Sequence, residues 1–145
     1  MNRISDRILL TLWVGGMWSI GYVVAPVLFK MLERQVAGEV AGQLFTAMSY
    51  IGLVCGILLL ISMLYRHGLS NWQQWRVLVL VGMLVIIVIG QFVLQPMMIE
   101  LKDSGLQGEV ATQFGRLHGL SSTLFLLNSL AGLALVVFEP SKKPS

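Results

Sequence analysis

The sequence predicts an all-α integral membrane protein, a bundle of four transmembrane helices built from two parallel helical-hairpin repeats. Composition points there first: of 145 residues, 56% are hydrophobic and 12% charged, with a mean hydropathy of +0.79. A soluble domain carries about 25% charged residues, and half that share cannot cover a water-facing surface. Next comes distribution, because the charges cluster and leave four long uncharged runs between them. Finally, the chain repeats itself: Gly38–Gln43 reads GEVAGQ and Gly108–Gln113 reads GEVATQ.

The spans follow from those runs, at about residues 8–29, 40–65, 77–99 and 117–138, with a short tail at 139–145. Each exceeds the about 20 apolar residues that a helix needs to cross the hydrocarbon core. The chain is therefore expected to form a single transmembrane domain. Span one, Ile8–Phe29, is longer than a signal-peptide core, and Val23-Val24-Ala25 is a poor cleavage site, so it is expected to be retained. Pro26 lies near its outer end and Pro96 near that of span three, and a proline there bends or ends a helix. From Met31 to Gln43 the apolar positions Met31, Leu32, Val36 and Val40 keep helical spacing. That pattern predicts that the first helix continues into an amphipathic stretch at the interface.

Between spans, the positive residues fall unevenly. Arg3, Arg7, Arg66, Arg76, Lys142 and Lys143 share one side, against Lys30, Arg34, Lys102 and Arg116 on the other. The positive-inside rule places both termini and the middle connection in the cytoplasm of a bacterial inner membrane. Trp72, Trp75 and Tyr65 mark the interface at that connection. The basic residues are too scattered for a nucleic-acid surface, so the expected partners are the bilayer, a second copy or other membrane proteins.

The repeat runs beyond the hexapeptide. At an offset of 70, Tyr22-Val23 aligns with Phe92-Val93, Pro26 with Pro96, and Gln43 with Gln113. Two spans per half return the chain to its starting side, which makes the repeats parallel.

Small residues let helices approach closely in lipid. Gly52-x-x-x-Gly56 offers such a face, as do Gly15-x-x-x-Ser19 and Gly38-x-x-x-Gly42. Glu39 and Glu109 are expected in the first turns of spans two and four, where the helix dipole favours a carboxylate. A cation or proton site between them is the sharper alternative. His118, at the outer mouth of span four, is an ionisable group at membrane depth and a functional candidate for that reason. The candidate polar site is thus His118, Glu39, Glu109, Arg116, Gln43 and Gln113. His67 is expected to be solvated. Gln91, Gln95 and Asn128 are expected to hydrogen-bond between spans three and four.

Chemistry beyond this is sparse. Cys55 is the one cysteine and is expected to pack as an apolar side chain. One histidine with distant carboxylates supplies no metal-ligand spacing. There is no nucleophile elbow and no phosphate-binding loop, so no catalytic residue or cofactor is assigned and the expectation is a non-enzyme.

Two segments carry a resemblance. Gly21-Tyr-Val-Val-Ala-Pro-Val-Leu-Phe29 with Ala37-Gly-Glu-Val-Ala-Gly-Gln-Leu-Phe45, and Phe114-Gly-Arg-Leu-His118-Gly-Leu-Ser121 followed by Asn128, resemble the transmembrane protein 205-like family. Its bacterial members are grouped as domain of unknown function 4149. The resemblance implies an integral membrane protein without an established bacterial activity. Eukaryotic relatives are linked to platinum-drug resistance, which implies handling of metals or solutes. Four-span proteins of similar shape, the copper-resistance D-type and protoporphyrinogen-oxidase J-type, suggest haem or copper, but the several intramembrane histidines of such sites are missing here. The leading expectation is a structural or accessory protein acting through helix partners. Solute or metal-ion transport or resistance at the outer face is the alternative, and a haem- or copper-associated protein a distant third.

Overall fold

The computed structural model describes residues 3–67 and 75–138, without the side chains of Arg3, Arg66 and His67. Sequence expectations for His67, Trp72 and the tail residues Lys142 and Lys143 lie outside what is described. The described residues are helical apart from the reversals at 32–33 and 104–107 and the closing Phe138, and contain no strand. It has four helical segments long and apolar enough to cross a membrane: Ile4–Met31, Arg34–Tyr65, Trp75–Asp103 and Gly108–Val137. Each overruns its uncharged run at one end or both, because long charged side chains at an interface can snorkel to water without breaking the helix.

Spans two and four are single helices, α3 (Arg34–His67) and α6 (Gly108–Val137). Spans one and three are each broken by one wide turn. α1 (Arg3–Ser19) passes through a π-turn at Ile20–Val24 into α2 (Ala25–Met31). α4 (Trp75–Ile89) passes through a π-turn at Gly90–Leu94 into α5 (Gln95–Asp103). Both turns are followed two residues later by a proline, Pro26 or Pro96. Proline lacks an amide hydrogen and its ring collides with the carbonyl four residues back. Widening that turn moves the carbonyl away, and the preceding amide bonds five residues back instead: Ala25 N–H to Ile20 O, and Gln95 N–H to Gly90 O. π-turns are one of the few structures that absorb such a conflict inside a continuous helix.

The first helix does not run on into the Met31–Gln43 stretch. Leu32 is extended (φ −117°, ψ 158°), and the chain reverses at Leu32 and Glu33 before α3 begins at Arg34. Of that apolar spacing only Val36 and Val40 belong to α3, while Met31 ends α2 and Leu32 lies in the reversal. At the second hairpin Gly105 and Gly108 carry the only positive φ values among the described residues, 86° and 53°, where a side chain would be strained.

Each span packs on two others: α1 on α3, α3 on α4, α4 on α6, and α6 on α1. The centre is filled by Trp13, Met17, Met48, Leu59, Leu80 and Met83, with Trp13, Leu80 and Met83 each 1% exposed. Glycines make room for them. A Cβ on Gly52 would lie 2.6 Å from Trp13 Nε1, and one on Gly56 would lie 3.1 Å from Trp13 Cη2 and 2.6 Å from Leu84 Cδ2. Gly16 abuts Met48, Gly21 lies under the Phe125 ring, and Gly132 meets Val14 and Met17. Gly15 and Gly38, by contrast, face open space among the described residues. So on α1 Gly16, not Gly15, carries the close approach.

At the other end of the bundle Arg76 donates from Nη1 to the Phe138 carbonyl at 2.6 Å, and Trp75 meets the Phe138 ring edge-on. A cation at a helix C-terminus satisfies an orphan carbonyl and complements the dipole.

Candidate functional site

The polar residues singled out in the sequence separate into three groups. Glu39, Gln43, Glu109 and His118 are all exposed, and none lines either of the two best-formed hollows. Glu39 is the sixth residue of α3, and its first turn holds no acidic residue. That corrects the expected capping position, because α3 starts earlier than the uncharged run. Glu39 Oε1 instead accepts from Gln35 Nε2 at 3.4 Å, one helical turn away. Glu109 does lie in the first turn of α6, where the dipole favours it. His118 stacks on Phe114, with ring centroids 6.0 Å apart and planes 10° apart, and Lys102 Nζ stands 5.6 Å from the Phe114 centroid. Among the described residues no group of three His, Cys, Asp or Glu side chains could hold a metal ion.

The second group sits inside the bundle. A small cavity of about 50 Å3 lies between Met17, Phe45, Met48, Ser49, Phe125 and Asn128. Asn128 is 4% exposed. Its Nδ2 faces Met17 Sδ at 3.8 Å, and its buried Oδ1 has no hydrogen-bond partner. Asn128 therefore meets span one, not span three as expected, and Gln95 Nε2 would lie 3.9 Å from a Cβ on Gly42 of span two. Among the described residues Gln91 and Gln95 make no side-chain hydrogen bond to α6. The hydroxyls of Ser49 and Ser129, like those of the exposed Ser122 and Thr123, donate to carbonyls four residues back on their own helices. Such back-bonding satisfies them without any partner across the bundle.

The third group is a groove. Gln113 and Arg116 of α6 line a hollow of about 420 Å3 with Glu100 and Leu101 of α5, between Met97 and Leu117. Sequence reading picked Gln113 and Arg116 but missed Glu100. The signal was available: the hairpin turns at residues 104–107, so residues near 100 on α5 return opposite residues near 111–116 on α6.

Residues 8–107 match the family described as a domain of unknown function, DUF4149. The chain belongs to the DUF4149 family. The match runs from span one through the hairpin after span three, so it takes in both π-turns and both prolines. No curated protein and no solved structure matches the chain. This DUF4149 chain is thus a multi-pass membrane protein, and what its family does is not given by the family's description.

Proposed function

We propose that this protein is an accessory component of the bacterial inner membrane that works through contacts between its helices and those of other chains. The observation that carries this reading is the filled centre of the bundle. Trp13 occupies the slot over Gly52 and Gly56, and the best-formed hollow between spans among the described residues holds about 50 Å3. That space suits one or a few waters and no larger solute. The outer surface, meanwhile, is broad and apolar, with Ile51, Val54 and Leu58 exposed on α3 and Leu126, Leu127 and Leu130 on α6. A transport or resistance role at the outer face has less support, since Glu39, Glu109 and His118 line neither of the two best-formed hollows among the described residues. Haem or copper association has less still, with one exposed histidine among the described side chains.

The same reading takes the chain as one domain of two parallel hairpin repeats, with both termini cytoplasmic. In its favour, the π-turns begin at Ile20 and Gly90, the same offset of 70 that relates Pro26 to Pro96 and Gly38 to Gly108. Photo-crosslinking residues placed at Val54 and Leu126 in intact membranes test the functional reading. Discrete protein adducts, reproducible in position and size, are the expected outcome. Adducts to lipid alone, together with solute flux in proteoliposomes that depends on His118 or Glu109, would sink it.

A further inference from the structure

We propose that the groove between α5 and α6 binds the headgroup of an amine-bearing, zwitterionic phospholipid, with the phosphate on Arg116 and the ammonium on Glu100. The groove holds one cation and one anion side by side with an amide, Gln113, one turn from the arginine. Among the described residues neither Arg116 nor Glu100 makes an ion pair, so each charge is open to a ligand. Opposite charges in one hollow complement a ligand that carries both signs.

Helix geometry explains why they share the hollow. α5 and α6 run in opposite directions, and side chains lean toward the N-terminus of their own helix. Arg116 leans toward the membrane surface, where α6 begins, and Glu100 leans inward. The two converge on one level. At 1.5 Å per residue, Glu100 starts about 5 Å and Arg116 about 12 Å from the hairpin ends of their helices. The opposite leans close that difference, so the two charged ends reach a similar depth. A zwitterionic headgroup lying along the interface likewise carries its phosphate and its amine at a similar depth. Met97 and Leu117 continue the groove toward the bilayer interior, where an acyl chain lies. An anionic lipid with a glycerol headgroup satisfies Arg116 but brings only hydroxyls and a net negative charge to Glu100. The groove therefore selects for the amine.

Delipidated protein in detergent, titrated with phosphatidylethanolamine or phosphatidylglycerol and read by native mass spectrometry, tests the assignment. The wild type is expected to retain more phosphatidylethanolamine than phosphatidylglycerol. Arg116→Gln lowers retention of both lipids, by about fivefold, the scale of one exposed charge pair. Glu100→Gln lowers phosphatidylethanolamine retention by a similar factor and leaves phosphatidylglycerol unchanged or stronger. Arg116→Lys keeps both lipids near wild type, a rescue that a merely structural arginine would not show. Equal retention of the two lipids by the wild type overturns the proposal, as does a Glu100→Gln variant with unaltered selectivity. Glu100 and Arg116 are exposed, so helicity and melting of the variants are expected to match the wild type.

Discussion

Trp13 lies edge-in against Gly52: a Cβ on that glycine would sit 2.6 Å from the indole Nε1, closer than packed carbon and nitrogen atoms tolerate. Ile87 Cδ1 closes the same space from the third span at 2.9 Å. One missing methyl group thus couples spans one, two and three.

Gly52→Ala is therefore expected to destabilise the bundle by about 1–3 kcal/mol, the range for overpacking a filled core. Trp13→Phe relieves the clash, so the double variant should lose less than the sum of the single losses. Unfolding in mixed detergent micelles measures all three. Strict additivity would show that the two residues do not share one packing site. Gly15→Ala, which meets open space, serves as the control and should change stability by less than about 0.5 kcal/mol.

Asn128 presents a buried carbonyl oxygen without a partner beside an apolar cavity. An unsatisfied buried acceptor costs about 1–3 kcal/mol, and leucine has a similar shape without that acceptor. Asn128→Leu should raise the unfolding free energy by about 1 kcal/mol, its lost contact with Met17 Sδ being weak. A fall in stability would mean that the amide is satisfied by a bound water or ligand in the membrane.

Arg76 ties the end of α6 to the start of α4 through the Phe138 carbonyl. Arg76→Gln should fray the last turn of α6 and raise hydrogen exchange at residues 134–138, with a global loss of about 1 kcal/mol. Protection there that equals the wild type would assign the turn's stability to Trp75 and Phe138 alone.

The orientation is checked at the second hairpin. Ser104→Cys, in a background with Cys55→Ala, should react with an impermeant maleimide from the periplasmic side of spheroplasts. Labelling only after lysis would invert the topology.

Much of this protein could be read from the residues one at a time. Hydropathy is a local property, so the four uncharged runs locate the four spans without any knowledge of packing. The prolines are local too, and each places a break in its helix within a few residues, although the wide π-turn that absorbs the conflict was not foreseen. What the sequence left open is rotation and register. Whether Gly15 or Gly16 faces a neighbour differs by a turn of about 100° around α1, and only the packed Met48 decides it. Where α3 begins depends on a two-residue reversal at Leu32 and Glu33, which moves Glu39 out of the first turn. The same holds for the polar positions. GEVAGQ and GEVATQ look equivalent along the chain, yet Gln113 borders a groove with Arg116 and Glu100 while Gln43 borders neither hollow. Met48 is buried in the core, and His118, 70 residues on, is exposed beside Phe114. Apolar length determines which segments enter the bilayer, because transfer free energy adds residue by residue. Which faces meet is decided only in the assembled bundle, because close packing is a property of pairs of helices and not of either one alone.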